Sequence, residues 1–181
     1  MTSPQAYICP ECGKVTAQRR CPHDGTPTVR KDLVQSPGAG DPLLGSKLDN
    51  KFFVEKRIGR GGMAVVYRAK HLKTEAPMAL KVLSRLLVED LTAVRRFYKE
   101  ARLASTLLHP NTVRVFDFGS TEEGSCYMAM EYLEGRTLGQ AFPKGSSMPE
   151  ARLVHIAAQT LRSLGEAHEK GLVHRDLKPD N

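Results

Sequence analysis

No stretch of the 181 residues approaches the roughly eighteen consecutive apolar residues of a membrane span. The N-terminus, MTSPQAYICPECGK, also lacks the basic-then-apolar layout of a secretory signal. Together these absences point to a cytoplasmic chain with no membrane segment. There is no internal repeat and no run of basic residues. The net charge of +7 comes from scattered Lys and Arg, so nucleic-acid binding has only that charge behind it and is not expected. Cysteine is scarce: Cys9, Cys12 and Cys21 are clustered, and Cys126 stands alone beside Tyr127 in an apolar stretch. In a reducing compartment the trio argues for metal and the lone thiol for ordinary burial.

What is present is enough for a core, since 40% of the residues are apolar. Residues 1–30 carry the clustered cysteines. Residues 31–49, which include VQSPGAGDPLLGS, are rich in Gly, Pro and Ser and read as a flexible linker. From about residue 50 the texture becomes strand-like: KFFVEKRIG and AVVYRAKHL flank GRGGM, and APMALKVL follows. In LTAVRRFYKEARLASTLL, Leu91, Val94, Phe97, Tyr98, Ala101, Ala104 and Leu108 recur at helical spacing, and Pro110 bounds the run. Two more strands are expected in TVRVFDFG and CYMAMEYL, then a helix from about Glu150 to Lys170, with Pro149 at its start and Gly171 at its end. The pattern implies a strand-rich layer holding one helix, then the start of a helical layer.

In CPECG, Cys9 and Cys12 have the bite that lets two thiolates from one tight turn hold a tetrahedral zinc ion. CPHDG repeats the turn with Asp24 where a fourth Cys would fall. This resembles the zinc-ribbon family, with Asp24, the neighbouring His23 or a water as fourth ligand; spacing favours Asp24. A bound zinc would be structural, because a module this small has little apolar content of its own. The alternative is a pair of turns held by hydrogen bonds, with free thiols.

Gly59, Gly61 and Gly62 lie between two strands, where missing Cβ atoms let backbone amides approach phosphate oxygens; a plain turn would look the same. Lys81 ends the next strand motif, MALK, and Glu100 lies mid-helix nineteen residues later, able to pair with that ammonium. Taken singly, these are a surface lysine and a solvated helix carboxylate. The order is what is specific: glycine hairpin, MALK, helix Glu, HPN, MEYLEG and finally HRDLKPDN. From about Asn50 onward the chain resembles the bacterial eukaryotic-like (Hanks-type) Ser/Thr protein kinases.

That resemblance implies an α+β fold. Residues 50–133 form a kinase-like small lobe of antiparallel sheet plus one helix, and 134–181 only the beginning of the helical large lobe. It implies ATP and Mg²⁺ as ligands and protein Ser/Thr hydroxyls as acceptors. Gly59, Gly61 and Gly62 then cover the phosphates, while Val66 and Ala79 line the adenine pocket. Lys81 contacts the α- and β-phosphates and pairs with Glu100. Met130 stands at the back of the pocket, with the main chain of Glu131 and Leu133 bonding adenine. Asp176 is the catalytic base, Lys178 neutralises the γ-phosphate, Asn181 holds a Mg²⁺ ion, and His174 is a packed structural imidazole. Ala64 replaces the family's third glycine, tolerable if its φ stays negative. The triplet Asp117-Phe118-Gly119 precedes the catalytic loop and is read as a strand end with no metal role.

Such kinases continue beyond this loop, so the sequence is read as C-terminally truncated and inactive on its own. Its last helix is expected to show Leu153, Ile156, Leu161 and Leu164 to water. The competing reading is a non-catalytic interaction protein whose ribbon docks a partner and whose partial lobe at most binds nucleotide.

Overall fold

A computed structural model describes residues 6–31, 41–84 and 87–180. Three two-residue strands, β1 (Tyr7–Ile8), β2 (Val15–Thr16) and β3 (Val29–Arg30), form a small antiparallel sheet in the order β2-β1-β3. A six-stranded antiparallel sheet follows, built from β4 (Lys47–Leu48), β5 (Phe52–Arg60), β6 (Ala64–His71), β7 (Pro77–Leu83), β8 (Val115–Ser120) and β9 (Cys126–Glu131), ordered β4-β5-β6-β7-β9-β8. The helices are α1 (Leu91–Ala104), α2 (Leu138–Ala141) and α3 (Glu150–Glu169). Among the described residues no helix is long and apolar enough to cross a membrane.

Side-chain alternation gives the large sheet two apolar faces. One carries Phe52, Val54, Tyr67, Ala69, Leu80, Tyr127 and Ala129, and is closed by Leu44 and Leu48. The other carries Leu83, Cys126 and Met128 and is covered by Phe97 and Ala101 of α1. Residues 41–48, expected to be part of a flexible linker, therefore belong to the lobe. Leu44 and Leu48 are buried, the Tyr67 hydroxyl donates to the Asp41 carboxylate at 3.0 Å, and β4 pairs with β5. The rest of the expected linker, 32–40, lies outside the described residues.

Asp90 caps α1, its carboxylate accepting from the amides of Thr92 (2.8 Å) and Ala93 (3.3 Å). The expected apolar stripe holds in its middle but not at its ends: Phe97 and Ala101 are buried, whereas Leu91 and Leu108 are about 70% exposed. The helix stops at Ala104, before the stripe does. At the other end of the chain, Gly171 (φ 72°) closes α3. Its N–H donates to His168 O and that of Leu172 to Ala167 O, the paired bonds of a left-handed helix stop. Of the apolar α3 residues expected to face water, Leu153 and Leu161 are exposed and Ile156 and Leu164 half-buried.

A polar latch ties α3 to the segment after α1. The Glu166 carboxylate accepts from the amides of Leu108 (3.1 Å) and His109 (2.9 Å) and from the Lys170 ammonium (2.6 Å). Asn111 donates to Gln159 at 3.1 Å, and the hydroxyls of Thr112 and Ser163 meet at 2.5 Å. The Lys170 ammonium and these amides hold the Glu166 carboxyl below the usual glutamate range. A depressed folded-state pKa means the latch contributes fully above the ordinary range and is lost as pH falls through the folded value. The protection factors of the Leu108 and His109 amides, taken relative to the intrinsic exchange rate at each pH, should therefore fall on acidification. Glu166→Gln should show the lowered protection already at neutral pH, with little further change in acid.

Candidate active site

The strands β6, β7 and β9 bring several of the expected residues onto one face. Val66 lies across from Lys81 and Lys81 from Met128; two residues along, Arg68 lies across from Ala79 and Ala79 from Met130. With a period of two, all six side chains share the face that packs against α1. Lys81 reaches from that face to α1, where its Nζ lies 2.5 Å from Glu100 Oε1. The lysine side chain is 27% exposed and the glutamate 54%, so the ammonium stands at the edge of the packed layer.

The β5–β6 hairpin carries Gly59, Gly61 and Gly62. None of the three takes a left-handed φ, and a Cβ would meet nothing nearer than 3.7 Å at Gly59 or Gly61, and nothing within 4 Å at Gly62. The turn itself does not require glycine there. What the missing side chains leave is bare backbone. Ala64 keeps a φ outside the left-handed region, so its methyl is accommodated, and it begins β6 as a buried residue. Met130 is half-buried beside Ala79; Glu131 ends β9, and Leu133 follows with its side chain exposed.

The second group lies on the loop after α3. Lys178 Nζ is 2.8 Å from Asp176 Oδ2. Arg175 adopts φ 62°, a left-handed conformation that a non-glycine residue rarely takes, immediately before Asp176. His174, expected to be packed, is instead exposed; its Nδ1 accepts the Asp176 amide at 3.3 Å, so it shapes the loop from within. The short helix α2 braces the same loop. Thr137 and Gln140 cap it reciprocally, and the Gly139 N–H donates to Pro179 O at 2.8 Å. A Cβ at Gly139 would fall 2.2 Å from Asp180 Oδ1, a clash that a turn of the exposed Asp180 side chain relieves, while the Pro179 carbonyl stays 3.6 Å away. Asn181 lies outside the described residues.

Asp117 sits inside β8, past a register shift, and not at the strand's end. Its carboxylate accepts from Lys51 (3.1 Å) and from the Tyr127 hydroxyl (3.3 Å), which also donates to Asp49 at 2.6 Å. It is engaged in tying the sheet to the turn before β5.

In the small sheet, one ligand atom from each of Cys9, Cys12, Cys21 and Asp24 falls within 4.8 Å of all the others. The Cys9 and Cys21 turns match: Gly13 (φ 69°) donates to Cys9 O and Gly25 (φ 71°) to Cys21 O, each at 2.9 Å. Amides of Glu11 and Cys12 point at Cys9 Sγ (3.4 and 3.5 Å). Burial pushes the Cys9 thiol up to about 11, so a thiolate there needs a compensating cation at neutral pH. His23 is exposed and is not one of the four.

Sequence reasoning missed a buried ion pair. Glu55 on β5, 2% exposed, pairs with Arg68 on β6, whose guanidinium lies 5.2 Å from the centre of the Tyr132 ring. Breaking such a pair from one side costs about 3–5 kcal/mol. A charged residue in a strand signals solvent, and only the cross-strand register reveals this partner.

Comparison with known proteins gives this architecture a family. The protein kinase domain family matches residues 52–181. The serine/threonine-protein kinase pkn3 of Myxococcus xanthus is 43% identical over 141 residues, covering 78% of this chain and 26% of that protein. PrkC of Bacillus subtilis is 35% identical, with 77% and 21% covered, and PknL of Mycobacterium tuberculosis is 35% identical, with 80% and 36% covered. The chain thus spans between a fifth and about a third of these relatives' length. The crystal structure of the M. tuberculosis PknI kinase domain superposes with a TM-score of 0.62 at 32% identity, covering 72% of this chain and 53% of that one. With the small-lobe sheet, its single covering helix and the family match in hand, the chain belongs to the protein kinase family.

Proposed function

We propose that the whole protein transfers the γ-phosphoryl group of ATP to Ser or Thr hydroxyls of protein substrates. The observation that carries this is the Lys81–Glu100 pair at 2.5 Å, on the sheet face shared with Val66, Ala79 and Met130. In this reading Glu100 aims the Lys81 ammonium at the α- and β-phosphates, and the hairpin of Gly59, Gly61 and Gly62, free of side chains and closed by the Gly61 N–H to Ala64 O bond, lies over the phosphates. Val66, Ala79 and Met130 enclose the adenine; Glu131 C=O accepts from it and Leu133 N–H donates to it. Asp176 takes up the hydroxyl proton as the new bond from the acceptor oxygen to the γ-phosphorus forms and the bond from that phosphorus to the β–γ bridging oxygen breaks, releasing ADP, while Lys178 offsets charge on the transferring group. Asn181 would help hold a Mg²⁺ ion, which would supply compensation of phosphate charge.

The relatives named as Ser/Thr kinases and the Lys178 that follows Asp176 at a two-residue interval support hydroxyl over phenol specificity. In the whole protein, Asp176→Asn should lower kcat by about 10²–10⁴-fold while leaving Mg·ATP affinity nearly unchanged. Wild-type turnover by that variant, on a Ser/Thr-bearing protein acceptor, would contradict the assignment.

The ribbon is read as a structural zinc site with Cys9, Cys12, Cys21 and Asp24 as ligands. The supporting observation is the convergence of the four donors together with amides directed at Cys9 sulfur. The purified chain should hold about one zinc per molecule, and Asp24→Ala should weaken the site by about tenfold or more, measured by competition with a chromophoric chelator. A chain that takes up no zinc, or an Asp24→Ala variant that binds it equally well, contradicts this ligand set.

A further inference from the structure

The small sheet does not hang free of the lobe. The Lys70 ammonium, on β6, donates to the carbonyl of Thr28 at 2.9 Å, and Lys47 of β4 pairs with Glu11 between the first two cysteines. Thr28 is itself buried, with its hydroxyl donating to Gln18 O at 2.8 Å. Between the two bodies lies a cavity of about 320 Å³, walled on one side by Arg19, Thr28 and Arg30 and on the other by Glu55, Arg68 and Lys70.

Glu55 is the pivot of this contact. Burial pushes its carboxyl up, and Arg68, Lys70, Lys56 and the ribbon's Arg30 pull it back. The ribbon thus helps both to cover and to compensate this carboxylate. In a covered, low-dielectric setting the Glu55–Arg68 pair is strong; with water admitted it becomes an ordinary surface pair. Arg68 then holds two things at once, Glu55 on the neighbouring strand and the face of Tyr132, the residue between Glu131 and Leu133. It is also the cross-strand partner of Ala79. Lys70 donates to Thr28 O and pairs with Glu75 at 3.0 Å, its charge and that of Arg30 act on Glu55, and Arg68 links Glu55 to Tyr132 in the segment that borders the adenine in the nucleotide reading above.

We propose that the ribbon is an intramolecular clamp that sets nucleotide affinity, its docking on β5 and β6 holding Arg68 between Glu55 and the Tyr132 ring and so fixing the Glu131–Leu133 segment. This rests on the reading that the segment binds ATP. In this scheme Arg68 and Lys70 are positioning residues, touching no nucleotide themselves.

The test uses the full chain, with Lys70→Met, which keeps the aliphatic stem but removes the donor to Thr28, and Tyr132→Leu, which removes the stacking but leaves the ribbon contacts. Two quantities are read: Mg·ATP affinity by calorimetry, and hydrogen exchange at the amides of Tyr132 and Leu133. Both variants should bind Mg·ATP about two- to tenfold more weakly than the unmodified chain and exchange faster at those amides. If the unmodified chain binds Mg·ATP and either variant binds it equally well, the clamp is overturned while the nucleotide reading stands. Unchanged exchange in Lys70→Met overturns the clamp as well. An unmodified chain that binds no Mg·ATP overturns the nucleotide reading, and the clamp's effect on affinity with it.

Discussion

The contact between the Lys81 ammonium and the Glu100 carboxylate is what the remaining geometry serves. At 27% and 54% exposure it is too wet to hold the fold together, since pairs of this kind contribute about 0–1 kcal/mol. The hold of α1 on the sheet comes instead from burying Phe97 and Ala101 against Leu83, Cys126 and Met128. Burial of a side chain the size of Phe97 is worth about 1.5–3 kcal/mol. Packing sets where α1 lies, and that position sets where Glu100 sits. The ion pair is then an aiming device: it orients a cation on the sheet face shared with Val66, Ala79 and Met130.

The loop carrying Asp176 depends on a different kind of support. It is braced by the Gly139 amide and by a backbone twist at Arg175, and its parent helix α3 is joined to the lobe through polar groups centred on Glu166. Polar, partly exposed latches of this sort give orientation at modest stability, in contrast to the apolar layers on either face of the sheet. The two groups of residues thus sit on bodies of different rigidity, one packed and one latched.

Much of the architecture was legible in the sequence because it is carried by period. Strand alternation located β5 to β9 and the helical stripe located α1, and the order of short motifs singled out Lys81 and Glu100, which the fold brings into contact. What escaped has a common physical cause. Leu44 and Leu48 lie in a Gly- and Pro-rich segment whose composition reads as tether, yet two leucines suffice to cap the sheet. Glu55 and Arg68 belong to no motif, and only a bulged cross-strand register brings them together. Beyond the end of α1, the Leu108 and His109 amides are taken up by Glu166 of α3, a tertiary contact that local spacing does not encode. Turn spacing placed Asp24 where a fourth donor would fall, and the two matching glycine-closed turns are what bring its carboxylate near the three sulfurs.

The small N-terminal sheet touches the lobe through the Lys70 ammonium on Thr28 O and the Lys47–Glu11 pair. The Lys81–Glu100 pair is tested most directly by a double-mutant cycle on Mg·ATP binding with Lys81→Met, Glu100→Gln and the combined variant. If Glu100 acts by aiming Lys81, each single change weakens binding, and the second adds little to the first. Fully additive losses, or binding indifferent to both, would contradict the account.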